Sequence, residues 1–406
     1  MGGFGQLLQS APRLLGFGFL LTFFSSFGQT FLLSLYVPEL SAYLGLSQGW
    51  MGSLYAAATL GSAALLSWVG RFIDYRDLRQ YTWLTLGGYV VALLTLATTQ
   101  HVIWAGLGLL GLRLTGQGLM GHISVTSMGR YFVAARGKAI SLATLGFPAG
   151  EALLPLVIAL LMEQVGWRGA LVVSAGVLVA AVAPGIRFLL KGTDTAPPLL
   201  QAKKGEKQEE GAHYGPRYFL RTRAFWVLAP NVFLLGFVNT AVFFFQVVLG
   251  GERGWSKEWV AGSLAAFAAS SALSMFVSGS LVDRFTARRL FPYYFAPYVI
   301  GLVLVAFIQA PWVYPLGLLF MGLSNGMGST IKSALQAELF GTRYLGTVRS
   351  LFTVLMVIST ALGPVTFGAL LDREVGFLAI LLGCATAVVG AILQSFRVKH
   401  ITPFYF

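Results

Sequence analysis

Apolar runs of about 20 residues, the length a helix needs to cross a ~30 Å hydrocarbon layer, recur along the whole chain. They lie near residues 14–37, 50–69, 80–99, 103–128, 137–161 and 168–189, and again near 224–249, 259–281, 290–309, 312–337, 344–370 and 375–396. Lipid offers no hydrogen-bond partner, so a spanning segment must satisfy its backbone internally, as a helix or in a closed barrel. Barrel strands alternate over ~10 residues, and these runs are continuous. The spacing predicts an all-α membrane protein with twelve transmembrane helices. Composition agrees: 56% of the residues are hydrophobic and 11% charged, where a soluble domain carries about 25% charged.

The formal net charge is +13, a balance that suggests nucleic acid in a soluble chain. Its distribution excludes that reading. With the N-terminus inside, 23 of the 28 Lys and Arg fall in cytoplasmic segments or in the cytoplasmic parts of the runs, the others being Arg113, Arg168, Arg253, Lys257 and Arg373. This positive-inside bias orients the chain with both termini in the cytoplasm. The expectation is a multi-pass protein of a cell (inner) membrane, monomeric, whose partners are the lipid bilayer, a small-molecule substrate and protons. The only cysteine, Cys384, lies in the last run, so neither a disulfide framework nor a metal cluster is expected, and no cofactor.

Residues 191–223 break the pattern. Lys203, Lys204, Glu206, Lys207, Glu209 and Glu210, flanked by Pro197, Pro198 and Pro216, are too polar to pack and read as a flexible cytoplasmic linker. The linker separates an N-terminal six-helix bundle, 1–190, from a C-terminal one, 224–406. The halves also match at a constant offset of 209 residues. Gly45, Ser47 and Trp50 recur as Gly254, Ser256 and Trp259; Gly70, Asp74 and Arg79 recur as Gly279, Asp283 and Arg288. Gly137, Ser141, Thr144 and Pro155 recur as Gly346, Ser350, Thr353 and Pro364. An even number of spans per half makes this a parallel, pseudo-symmetric repeat. Ser47 and Ser256 suit helix N-caps, and Trp50 and Trp259 the interfacial belt. Gly70 and Gly279 suit close backbone approach.

The G-x-x-x-D pattern followed by Arg, in both halves, resembles the loop signature of the major facilitator superfamily. The second copy, with Gly279, Asp283, Arg284, Arg288 and Arg289, is nearer to it, although Thr286 stands where that family usually has Gly. The first copy, with Gly70, Asp74 and Arg79, departs further. The resemblance implies a secondary transporter that works by alternating access, with this loop gating it. Arg113, the Tyr131-Phe132…Arg136-Gly137 segment and the Gly341-Thr342-Arg343…Gly346 segment resemble the oxalate and monocarboxylate branch of organic-anion carriers. Gly137, Gly146 and Gly150 match the front of a signature of exporting antiporters, but Glu151 stands where that signature has Pro.

Ionisable groups in lipid are costly and usually face a cavity where they act. Arg113 and Glu151 each sit about 15 Å below the outer end of their spans, at 1.5 Å rise per residue. They are expected to face each other or to share one cavity. There an anion would compete with the carboxylate for the guanidinium, and the released Glu151 would take a proton. A permanent structural pair is the alternative. Gln117 lies one turn from Arg113, and Asn325 nearly matches that place in the second half. Gln29, Tyr36, Asn239 and Gln246 are further candidates for the pathway, as is Lys332 nearer the cytoplasmic end of its span, with snorkelling to the interface as its alternative reading. No nucleophile–base pair or phosphate loop appears, so the chain reads as no enzyme. The favoured function is proton-coupled transport of a small organic anion such as a carboxylate. Its rivals are a proton-driven multidrug or metabolite exporter and a membrane sensor on the same scaffold.

Overall fold

The computed structural model describes residues 4–132, 135–196, 216–341 and 345–402. Most of the 191–223 segment, and Thr342 and Arg343, lie outside the described residues. Among those described the structure is helical, with no strand. Seven stretches are long and apolar enough to cross a membrane, and Ala296–Phe307 is a shorter apolar helix. The chain divides into two compact units, Met1–Leu46 with Leu54–Gly205, and Ser47–Ser53 with Glu206–Phe406.

The first unit contains α1 (Pro12–Phe24), α2 (Gln48–Val69) from Leu54 onward, α3 (Leu78–Ala97), α4 (Val102–Leu112), α5 (Gly121–Tyr131), α6 (Arg136–Thr144), α7 (Gly146–Val177) and α8 (Ala183–Leu189). The run at 14–37 is not one continuous helix. After α1 the chain tightens into a 3₁₀ turn at Ser25–Gly28, and Gln29 is extended (φ −84°, ψ 151°) before a short helix resumes at Thr30–Leu33. Carbonyls freed by such a break must be satisfied inside the membrane. The buried Tyr89 hydroxyl of α3 does this, donating to the Phe24 and Ser25 carbonyls at 3.0 and 3.3 Å.

Opposite the break, α4 and α5 are joined by a π-helical segment, Arg113–Met120. α1 packs on α7 through small residues: a Cβ at Gly146 would collide with the Thr22 side chain, and one at Gly150 with Ser26. Within α7, Gly166 has φ 72° and ψ 170°, so the expected spans at 137–161 and 168–189 meet there at a kink. Glycine tolerates that left-handed φ at no steric cost.

At the end of α3, the half-buried Arg168 donates to the carbonyls of Ala97 (3.2 Å) and Thr99 (3.1 Å), while its guanidinium stacks on Tyr43 and Trp167 at 4.0 and 4.3 Å. A cation at a helix C-terminus opposes the macrodipole and occupies orphan carbonyls. Charge-assisted bonds of this kind contribute about 1.5–3 kcal/mol each. Arg168→Ala is therefore expected to lower the melting temperature of the detergent-solubilised protein by several degrees while leaving substrate affinity unchanged. An unaltered melting curve would show that the strap is idle.

The second unit contains α9 (Arg223–Phe244), α10 (Lys257–Phe285), α11 (Ala296–Phe307), α12 (Val313–Phe340), α13 (Leu345–Leu371) and α14 (Phe377–Ser395). Arg253 repeats the role of Arg168, donating to the Ile308 and Ala306 carbonyls at the end of α11. Ser256 caps α10, accepting from the Trp259 amide at 3.1 Å. The outer turn Ser47–Ser53 groups with this unit, where Asp372 accepts from Ser47 Oγ at 2.6 Å and the Gly49 amide at 3.0 Å.

The two signature loops differ in their contacts. In the first, Asp74 pairs with Arg130 at 3.5 Å, the Gly70 carbonyl meets His122 Nε2 at 3.0 Å, and Arg79 donates to the Leu190 carbonyl. In the second, Glu338 accepts from the Ala287 and Arg288 amides, and Arg288 donates to the carbonyls of Val398, Lys399 and Ile401. Arg284 lies over the Phe285 ring and Asp283 is exposed. Thr286 has φ 67°, the left-handed region that favours the glycine the signature has there. The close approach expected at Gly279 is absent: a Cβ there would meet nothing within 4 Å.

Candidate functional site

In the first unit the break in α1 and the π segment bring together Thr30, Tyr55 and Arg113. π-bulges interrupt helices frequently at functional positions, because they re-aim a side chain and free backbone groups. Arg113 is 4% exposed. Its Nη1 donates to Thr30 Oγ1 at 3.3 Å, and its guanidinium lies 4.9 Å over the Tyr55 ring. The Tyr55 and Thr30 hydroxyls share a 2.5 Å hydrogen bond. Arg113 Nε is buried with no partner.

No ion pair joins Arg113 and Glu151 among the described residues. The depth argument fixes height and not azimuth: the guanidinium is held by α2 and by the segment after α1, and Glu151 follows Gly150, whose packing face meets Ser26. Glu151 is half-buried, with neither a hydrogen bond nor an ion pair among the described residues. Tyr36 is buried. Gln29 caps the Thr30–Leu33 turn by position, without a side-chain bond, and Gln117 is half-buried within the π segment.

The second unit holds a cleft of ≈ 570 Å³ between α9, α12 and α13. Asn239 and Thr240 reach it from α9, and Asn325, Ser329, Lys332, Ser333 and Gln336 from α12. Arg349, Phe352, Thr353 and Met356 reach it from α13. Its lining includes two cations and no carboxylate. Lys332 is half-buried, with no hydrogen-bond or ion-pair partner among the described residues. Its side chain lines the cleft. Asn239 Oδ1 accepts from the Tyr298 hydroxyl at 3.3 Å and Asn325 Nδ2 donates to Ser271 Oγ at 3.0 Å. These bonds occupy one end of each amide and leave the other end for the cleft. Gln246 is fully buried and accepts from the Tyr314 hydroxyl at 3.0 Å, so it joins helices and does not line this cleft.

Sequence reasoning placed Asn239 and Asn325 here but missed Arg349 and Gln336. A signal was present. Residues 325, 329, 332 and 336 are spaced by four, three and four, which puts one polar stripe on a single face of an apolar helix.

The fold and these clusters define a multi-pass membrane transporter. The Major Facilitator Superfamily profile matches residues 18–364, and the chain belongs to that superfamily, whose members are transporters and not enzymes. Monocarboxylate transporter 12-B of Danio rerio is 24% identical over 388 residues, covering 87% of this chain and 79% of that one. Tetracycline resistance protein, class G, of Vibrio anguillarum is 32% identical over 146 residues, 35% of this chain and 36% of that one. Among solved structures, a mutant of the nucleoside transporter NupG superposes with a TM-score of 0.73 at 13% identity, covering 96% of this chain and 99% of that one. That likeness extends to the fold alone.

Proposed function

We propose that the chain is a secondary active transporter that moves a small organic anion, a carboxylate foremost, together with protons by alternating access. Twelve transmembrane helices form two pseudo-symmetric six-helix bundles, 1–190 and 224–406, joined by the cytoplasmic linker 191–223. The protein sits as a monomer in the cell (inner) membrane with both termini in the cytoplasm. The observation that carries this reading is the cleft lined by Lys332 and Arg349 without a carboxylate among its lining residues. Lys332 is half-buried and Arg349 exposed, and an anionic ligand with charge-assisted hydrogen bonds supplies the counter-charge that the lining lacks. The full-length similarity to a monocarboxylate transporter supports the same substrate class.

Arg113 supplies a further cation, in the first unit, held by the Thr30 hydroxyl and the Tyr55 ring, neutral groups that an anion can displace. Glu151, with no partner among the described residues, carries the coupling proton. An exporter is the second reading, favoured by the local similarity to a tetracycline resistance protein and by the Gly137, Gly146 and Gly150 spacing.

Proteoliposomes with a trapped pH dye test both readings. Adding a carboxylate is expected to acidify the lumen. In Glu151→Gln that acidification disappears, while exchange of labelled anion across the membrane continues at near the original rate. Acidification that survives in Glu151→Gln would remove this residue from coupling. Proton flux evoked by lipophilic cations and by no carboxylate would favour the exporter.

A further inference from the structure

We infer that the cleft of the second unit is built for a dianion, with Lys332 and Arg349 each neutralising one of its two negative ends. This rests on the organic-anion reading above. A sphere of 570 Å³ is ~10 Å across, within the range of small-ligand pockets. A four- or five-carbon dicarboxylate fits that space with its ends apart. Its two cations come from different helices, Lys332 from α12 and Arg349 from α13, so they approach the cleft from separate walls.

Their surroundings give no alternative use for the charge. Neither side chain makes an ion pair or a hydrogen bond among the described residues, and every other polar lining group is neutral. Several of those hydroxyls are satisfied by their own helices: Ser329 Oγ donates to the Gly326 carbonyl, Thr353 Oγ1 to the Arg349 carbonyl and Thr360 Oγ1 to the Val357 carbonyl. Gln336, 7% exposed, keeps its amide uncommitted beside Lys332, one turn away on the same face. A monoanion in this cleft neutralises one cation and leaves the other without a counter-charge among the lining residues. A dianion neutralises both. Arg349 is the more exposed of the two and its planar fork suits a carboxylate bidentately, so it selects for the second charge, while the half-buried Lys332 anchors the first.

The test compares succinate with butyrate, which share a four-carbon chain and differ by one carboxylate, by titration calorimetry on the full-length protein at pH 7.5. Succinate is expected to bind at least about tenfold more tightly. Arg349→Gln should erase that ratio by weakening succinate towards butyrate, and Arg349→Lys should restore most of it. The inference is overturned if the two acids bind alike and the ratio ignores Arg349→Gln, an outcome that leaves the organic-anion reading intact. Failure of both acids to bind, with tetraphenylphosphonium binding instead, would overturn the inference and the organic-anion reading together. A melting curve of Arg349→Gln that matches the parent protein verifies that the loss is one of recognition.

Discussion

Lys332→Gln is expected to lower organic-anion uptake about 100-fold while leaving the protein as stable as before, or more so. The two halves of that expectation come from one fact, a half-buried ammonium in a membrane helix with no counter-ion among the described residues. Truncating one partner of a desolvated, hydrogen-bonded charge pair costs 2–5 kcal/mol of binding, and about 2.8 kcal/mol corresponds to 100-fold. In the empty protein the same charge has only its desolvation penalty, so removing it relieves the fold. A residue kept for structure would show the reverse, a lowered melting temperature with uptake retained. Lys332→Arg keeps the charge and is expected to hold most of the uptake, although the guanidinium is larger and reshapes the cleft. Uptake by Lys332→Gln within threefold of the parent would place the transport pathway elsewhere.

Which parts of this molecule were legible in the sequence follows from the physics of each signal. Apolar runs are long and redundant, so the membrane-spanning helical class survives any single misread residue. Caps are equally local: Ser256 before Trp259 is a one-turn relation, and the structure makes the bond the sequence implies. The Gly166 kink falls between two runs already read as separate spans.

What depended on azimuth was not legible. Arg113 and Glu151 share a depth, but depth says nothing about which neighbour a side chain meets, and Thr30 and Tyr55 occupy the guanidinium. The interruption of the first run was also missed. Ser25, Ser26 and Gly28 are weak helix formers, yet such residues are common in unbroken membrane helices where they pack closely. Only the Tyr89 hydroxyl, 64 residues away from Ser25, makes the break tolerable, and that contact is tertiary. Lys332 is ambiguous in the sequence for a related reason. Its height near one end of the span allows snorkelling, and only the stripe through Asn325, Ser329 and Gln336 argues that it turns inward.

Gly28→Ala is expected to destabilise the first unit markedly, whereas Gly87→Ala is expected to be neutral or stabilising. Both positions are glycines in apolar segments of the same unit, so composition does not separate them. Their surroundings do. A Cβ on Gly28 would collide with the Leu112 carbonyl oxygen, lie 2.7 Å from the Gln117 amide nitrogen and 3.0 Å from Gly116 Cα. All three are backbone atoms of α4 and the π segment, so no rotamer change relieves them. The segments would have to separate, and overpacking of this kind costs about 1–3 kcal/mol or more. Separation also withdraws Thr30 from Arg113, because Thr30 follows the break by two residues, so anion uptake should fall along with stability. Gly87 lies on an exposed face of α3 with nothing within 4 Å of its Cβ position. There alanine only removes the glycine's unfolded-state entropy, a gain of up to about 1 kcal/mol. Melting curves of the two variants, recorded beside the parent in the same detergent, check the contrast. Equal melting temperatures would mean that the break in α1 does not pack against the π segment as closely as the backbone contacts require.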